Sequence, residues 1–410
     1  MARTVNEKQT DALSEILALA EEEKENRGLL YTPLEIAQQP QTWGSTCSIC
    51  FSRSEEIIRF LNLPFDGKTR TFPRVILVGA GTSDYIGQSV QSVLARQWRC
   101  DVAAIPSTDL LTSMDDFIRA DRPYLWISFS RSGDSPEAVA VVQSALARFP
   151  LVRHILITCN QQSRLAREFE NNPRVFLLVL SDEVNDRGLA MTSSFSNMVV
   201  AGQSLAHLHS QELYCDILHR IRAAAADFMG RCSDLTAELA EQNFSKVCFL
   251  GTGPLKAVAR ESALKGLELT AGRLHGFWES YLGLRHGPLS AIDARTLIVG
   301  FISADQCARS YELDLLAELR EKRLPGRIVT VYPFFTDGIS ISDDVISLNL
   351  EHVPDDYRPA IDVIFGQLFG LFASLYHGIS PDHPSPNGAI NRVVRPIKIY
   401  ERRGNTWQHT

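Results

Sequence analysis

The sequence predicts an α/β protein of two tandem domains, each a parallel sheet covered by helices, behind a helical N-terminal extension. Three observations predict it. Continuous apolar runs of strand length alternate with helix-length stretches, as in parallel strands buried on both faces. Two of these runs close with a Gly-x-Gly turn, at Gly79–Gly81 and Gly251–Gly253, 172 residues apart. Leu125 and Leu297 open two further runs with the same 172-residue separation, so the unit is duplicated.

In chain order, Thr10 to Asn26 places apolar residues at helical spacing among glutamates and predicts an exposed helix. Leu34 to Trp43 predicts a short amphipathic helix stopped by Pro40, and Ser52 to Leu61 a second helix. Arg74 to Val78 is the first clear strand, followed by a helical stretch to Trp98. Strands at Asp101–Ile105, Leu125–Phe129, Ile155–Thr158 and Val175–Leu180 complete the first unit. Long helices follow, at Met191–His209 and Glu212–Gln242, and the pattern begins again. Val247–Leu250, Leu297–Phe301, Arg327–Val331 and Val345–Leu350 answer strands of the first unit. The division expected is an extension over 1–66, a first domain over 67–215 and a second over 216–410.

Composition bounds the function. The chain has 410 residues, 45% hydrophobic and 22% charged, with a net charge of −7. That balance supplies no basic face for nucleic acid or an anionic membrane. No apolar run approaches the roughly 18 residues of a spanning helix. The acidic N-terminus does not read as a secretory signal, and several of the eight cysteines lie in apolar runs. Both point to buried thiols in a reducing cytoplasm. Cys47 and Cys50 form a single C-x-x-C with no second pair, so neither a zinc site nor a redox motif is assigned.

The stretch that carries chemistry is Leu125 to Pro136, an apolar run ending in Ser130-Arg131-Ser132-Gly133-Asp134-Ser135-Pro136. A helix-length stretch follows at once. Strand, turn and helix in that order aim backbone N–H groups into the turn, where the helix dipole also favours an anion. Three serine hydroxyls add donors, which suits a compact dianion such as a sugar phosphate. The same residues read equally as a plain turn, with Ser135 as N-cap and Pro136 at the first helical position. Right-handed crossovers bring the Gly79–Ser83 turn to the same sheet edge. The second copy has Phe301-Ile302-Ser303-Ala304-Asp305 at this point, one hydroxyl and an acid, so only the first copy is expected to hold phosphate. Dinucleotide binding is excluded by Asp84 where a third glycine is needed, and no P-loop motif exists.

Lys265 and Glu268 are three apart in a helical stretch and so share a face, either as a surface ion pair or as working chemistry. His286 precedes Gly287-Pro288 in a loop. A histidine and a carboxylate together make a sensible proton-transfer pair.

These pieces resemble a known family. Glu35-Ile36-x-x-Gln39-Pro40, Gly81-Thr82-Ser83, Ser130-x-Ser132-Gly133-x-Ser135, Lys265-x-x-Glu268 and His286-Gly287-Pro288 are similar to tandem sugar-isomerase (SIS) domain proteins. That group includes the isomerase half of glucosamine-6-phosphate synthase. Asn185 to Phe195 and Asn391-Arg392-Val393-Val394 resemble the branch of galactosamine-6-phosphate deaminases, also called tagatose-6-phosphate ketose/aldose isomerases. The resemblance implies an amino-sugar-phosphate substrate held by Gly81, Thr82, Ser83, Ser130, Arg131, Ser132, Ser135 and Arg395, with Thr192 and Ser193 on sugar hydroxyls. It implies Glu268 as the base moving a proton between C2 and C1, oriented by Lys265. His286 would assist ring opening, reaching into a neighbouring subunit of a homodimer. No metal and no cofactor is implied. One departure matters: Arg395 stands where the synthase carries a Schiff-base lysine, and arginine cannot serve as that amine. The expected activity is deamination of galactosamine 6-phosphate. Ketose/aldose isomerisation, adduct cleavage and a non-catalytic sugar-phosphate sensor are the alternatives.

Overall fold

The computed structural model describes residues 10–63, 73–335, 341–403 and 406–409. Five helices lead the chain. α1 (Ala12–Ala18) and α2 (Glu21–Arg27) replace the single helix expected over Thr10 to Asn26, with Leu19 and Ala20 extended between them. α1 is also not exposed: Leu13 and Ile16 are buried, and its first N–H groups bond to Asp234 and Ser233 of a long helix downstream. α3 (Thr32–Ala37) and α4 (Gln39–Ser52) follow. Pro40 therefore starts a helix instead of stopping one, because in the first turn its missing N–H costs no bond and its φ suits the helix. Cys47 and Cys50 lie buried in α4 as free thiols. α5 (Ser54–Asn62) ends the extension.

The first sheet is built from β1 (Arg74–Gly79), α6 (Thr82–Trp98), β2 (Val102–Pro106), α7 (Ser107–Phe117), β3 (Tyr124–Ser130), α8 (Pro136–Arg148), β4 (Val152–Thr158), α9 (Arg164–Phe169) and β5 (Val175–Val179). All strands are parallel in the order β2-β1-β3-β4-β5. α10 (Ser193–Ala206) and α11 (Gln211–Glu241) lead to the second sheet. Its elements are β6 (Lys246–Leu250), α12 (Pro254–Leu269), β7 (His275–Glu279), α13 (Tyr281–Leu284), β8 (Thr296–Phe301), α14 (Gln306–Glu321), β9 (Arg327–Tyr332) and β10 (Asp344–Ser347). Its order, β7-β6-β8-β9-β10, repeats the first sheet strand for strand. The tandem α/β architecture expected from the sequence is borne out. The duplication reaches single dihedrals: Gly81 has φ 56°, ψ −127° and Gly253 has φ 57°, ψ −129°.

β7 was not expected. His275-Gly276-Phe277-Trp278-Glu279 is an edge strand, nowhere fully buried, so it never needed the apolar run that marks the others. α15 (Pro359–Tyr376) also departs from the sequence reading. Its mean hydropathy of 1.4 over 18 residues is enough to cross a membrane, yet 89% of that window is buried inside the protein, where it packs on α11 and α12. Asp362 and Gln367 on it bond to Arg358 and Gln39. It is a core helix. The C-terminal segment ends in a hairpin, β11 (Tyr400–Arg403) and β12 (Thr406–His409).

One apolar core runs from sheet to sheet through α4, α6, α10, α11, α12 and α15. The outer face of the first sheet packs on α7 and α8, and that of the second on α13 and α14. The C-terminal end of β1 thus lies where α6 and α12 meet across the two units.

Candidate active site

The site is built from strand ends. β1 stops at Gly79, where a Cβ would stand 2.3 Å from the Ser83 carbonyl, so only glycine lets α6 begin so tightly. α6, α7 and α8 then start around one cavity of about 270 Å³. Its wall carries the hydroxyls of Ser83, Ser107, Thr108, Ser128, Ser130, Ser132 and Ser135, and it is closed by Met191 and Arg392 to Val394. Three helix N-termini and a ring of hydroxyls surround this cavity; its wall carries Arg131, Arg392 and one acid, Glu137, and no lysine.

The serine turn caps α8 as the plain-turn reading expects and leaves its hydroxyl protons unspent. Ser130 Oγ accepts the Gly133 N–H at 3.2 Å, Ser132 Oγ that of Asp134 at 3.3 Å, and Ser135 Oγ caps α8 on the Ala138 N–H at 3.3 Å. Each hydroxyl accepts, so each keeps its own proton for a ligand oxygen. Among the described residues the backbone N–H groups of Arg131 and Ser132 have no partner. Ser83 Oγ meets only the thioether of Met191, at 3.9 Å, a weak acceptor that leaves it free to donate.

Arg131 lines the cavity but its guanidinium is spent on the wall. It donates to the carbonyls of Gly188 (3.4 Å), Leu189 (3.1 Å) and Arg392 (2.6 Å). Burial pushes its pKa down, and the charge of Asp186 pulls it back. Arg392 in turn bonds the carbonyls of Asp186 and Asn185 at 2.6 and 3.2 Å. The segments 185–190 and 391–394 are thereby clamped together over the turn. Beneath them Asp186 holds the N–H groups of Thr192 and Ser194 at 2.8 and 2.9 Å, and Glu35 holds those of Arg187 and Gly188 at 2.5 and 3.2 Å. Burial, aided by the charge of Asp186, pushes Glu35 up to about 8.

The carboxylate lies across α6. Lys265 Nζ bonds Glu268 Oε2 at 2.5 Å, Glu261 Oε1 at 3.2 Å and Thr82 Oγ1 at 3.3 Å, and Thr82 Oγ1 also bonds Glu261 at 3.2 Å. Lys265 and Glu261 are wholly buried, whereas the Glu268 side chain keeps 23% of its surface open. Burial works against the Lys265 ammonium, but Glu261 and Glu268 outweigh it and hold its pKa above the ordinary value. Burial pushes Glu261 up to about 7 despite Lys265. The half-buried, lysine-oriented Glu268 is the one acid of this group with open surface. Thr82 of this group is the chain neighbour of Ser83 on the cavity wall.

A SIS domain profile matches residues 71–208. The chain is 36% identical to D-galactosamine-6-phosphate deaminase AgaS of Escherichia coli, over 90% of this chain and 95% of that one. A relative from Streptomyces coelicolor is 39% identical over the same shares. The crystal structure of tagatose-6-phosphate ketose/aldose isomerase from Escherichia coli superposes with a TM-score of 0.79 at 34% identity, covering 88% of this chain and 95% of that one. The chain belongs to the AgaS family of SIS-domain proteins.

On this AgaS-family scaffold the residues singled out from sequence fall into separate groups. Ser83, Ser130, Arg131, Ser132 and Ser135 line the cavity, whereas Thr82, Lys265 and Glu268 make up the neighbouring acid group and, like Gly81, are off the cavity wall. Thr192 and Ser193 are fully buried behind Met191. Ser193 Oγ accepts from Gln38 and Asn197, each at 3.2 Å, and Thr192 Oγ1 has no partner. His286 and Arg395 are exposed and off the cavity wall, His286 on the loop after α13 and Arg395 directly after Val394. Sequence reading missed Ser107, Thr108, Ser128, Met191, Arg392 and Glu261. Glu261 carried a signal in its i−4 spacing from Lys265, and Ser128, Met191 and Arg392 lie within stretches singled out from the sequence.

Proposed function

We propose that this protein is an aldosamine-6-phosphate deaminase that converts galactosamine 6-phosphate and water to tagatose 6-phosphate and ammonia. The observation that carries the reading is the Lys265–Glu268 pair, bonded to Thr82 next to Ser83 on the wall of a hydroxyl-lined cavity. The deaminase name of relatives covering most of the chain supports the substrate.

In this reading Ser83, Ser130, Ser132 and Ser135 hold the 6-phosphate together with three helix N-termini. His286 of a neighbouring copy in a homodimer assists ring opening, which its exposure on the loop after α13 allows. Glu268 takes the proton from C2 of the open-chain aldehyde, giving an enolamine, and C1 is reprotonated. The C2–N bond is then an iminium made from the substrate's own nitrogen. Water adds to C2, the C–N bond breaks, and the oxygen of water becomes the ketose carbonyl as ammonia leaves. No enzyme amine is used, which agrees with Arg395 where the synthase has lysine. Lys265 keeps Glu268 aimed.

Ketose/aldose isomerisation by the same carboxylate is the second reading, supported by the name of the solved relative at 34% identity. A panel of galactosamine, glucosamine and tagatose 6-phosphates, assayed for ammonia and for aldose–ketose interconversion, tests both. Ammonia from galactosamine 6-phosphate supports deamination. Interconversion without ammonia from either amino sugar refutes it in favour of the isomerase. Stabilisation by the sugar phosphates with no product identifies a sensor.

A further inference from the structure

The duplication gives each half of the chain a turn after its central strand, and the second of these turns already holds an anion. Ser303 and Ala304 stand 172 residues after Arg131 and Ser132. In the first half both backbone N–H groups lack a partner among the described residues. In the second, Ser303 N–H donates to Glu312 Oε2 at 2.8 Å and Ala304 N–H to Asp355 Oδ1 at 2.8 Å. Ser303 Oγ adds a bond to Asp355 Oδ2 at 2.5 Å. The same offset puts Ala140 opposite Glu312 and Glu183 opposite Asp355, but Glu183 is exposed and off the wall of the first cavity, so it does not fill that turn.

The second seat is a built site. Ser303 and Glu312 are buried, and Arg358 is wholly buried. Arg358 donates from Nη1 to Asp355 Oδ1 and to the Ile302 carbonyl, each at 2.8 Å, while its other nitrogens hold Asp362 at 3.1 and 2.8 Å. Asp355 keeps 15% of its side-chain surface open, so its place can be reached from solvent. The next residue, Asp356, grips Ser92 and Arg96 of α6, each at 2.5 Å, and α6 begins at the first seat. The Asp355 carboxyl on one N–H group, a hydroxyl and a buried guanidinium, with Glu312 on the neighbouring N–H, makes a network of the kind an oxyanion ligand makes.

We propose that the turn after β8 is a second oxyanion seat, filled by the chain's own Asp355 with Glu312 beside it, so that an internal carboxylate stands where a small carboxylate or phosphate would otherwise bind. The filled seat docks the Asp355–Arg358 turn, and through Asp356 that turn holds α6 in place. This inference does not depend on which reaction the first half performs.

The test is chemical rescue of the full chain. Asp355→Ala should melt below the wild-type protein, and sodium formate should raise its melting temperature by a few degrees over sodium chloride at equal ionic strength. The wild-type protein, its seat filled, should show no such difference. Titration of the wild-type protein with inorganic phosphate should reveal one site per chain. If Asp355→Ala does not accumulate folded, refolding yield in formate against chloride gives the same readout. Asp355→Asn, which keeps volume and one acceptor, should fold and ignore formate. Formate indifference of Asp355→Ala, an equal formate effect on the wild-type protein, or a second phosphate site in the wild-type protein would each overturn the proposal.

Discussion

Removing the Lys265 ammonium is the sharpest perturbation available at the acid group. In Lys265→Met, Glu261 keeps only the Thr82 hydroxyl at 3.2 Å while remaining wholly buried, and Glu268 loses its 2.5 Å partner. Breaking a buried ion pair by deleting one member costs about 3–5 kcal/mol, because the other charge stays buried. Glu268, partly exposed, adds little to that sum. The sign of the pH dependence follows from Glu261, already pushed up to about 7 in the intact protein. An acid whose folded pKa lies above its unfolded value near 4.5 favours the fold fully below 4.5 and loses that contribution as pH rises through the folded value. Without Lys265 the folded value climbs further, so the loss in Lys265→Met should deepen from pH 5 to pH 8. Urea midpoints across that range measure it. Lys265→Met/Glu261→Gln, which removes both charges, should recover most of the stability but none of the ammonia release. A Lys265→Met protein with wild-type midpoints at pH 8, or a double variant no more stable than the single one, would refute the reasoning.

Other consequences are equally direct. Glu35, pushed up to about 8 by burial, should lower stability as pH climbs from about 4.5 through 8, and Glu35→Gln should flatten that slope in melts between pH 5 and 9. Ser135→Ala removes both the α8 cap and a phosphate donor. A stability loss of about 1 kcal/mol and a raised KM with a smaller change in kcat are expected from urea melts and steady-state kinetics. Gly79→Ala would drive a Cβ to 2.3 Å from the Ser83 carbonyl and shift the start of α6. Calorimetry with inorganic phosphate should then show no binding, whereas Gly251→Ala, with the same clash against the Leu255 carbonyl at 2.2 Å, should spare phosphate affinity in whatever fraction folds.

Much of the fold was legible because buried parallel strands must be apolar throughout, and the two copies announce each other. β7 escaped because an edge strand is free of that constraint, and its Gly276 and Glu279 mask it further. Pro40 misled because a proline ends one helix and opens another with equal ease, and only the neighbouring chain decides which. At the site, the serine turn was legible because its donors are consecutive in sequence. Ser107, Thr108 and Ser128 were not, since each looks like an ordinary strand-end or strand residue until β1, β2 and β3 are set side by side. Arg392 reaches the turn across 261 residues of chain, through a bond between Arg131 and its carbonyl, which no local pattern encodes. Glu268 and Lys265 were recognisable as a pair, but the burial that separates their roles exists only once α12 lies against α6.

The central claim is that Glu268 carries a proton away from C2, and the fate of that hydrogen tests it most directly. With galactosamine 6-phosphate deuterated at C2, the account predicts ketose product with no deuterium at C2, the label appearing at C1 or in solvent, and ammonia release slowed by a primary isotope effect. Glu268→Gln should fall in rate by ~10²–10⁴-fold while phosphate still stabilises it. Deuterium retained at C2 of the product, or undiminished ammonia release from Glu268→Gln, would contradict the account.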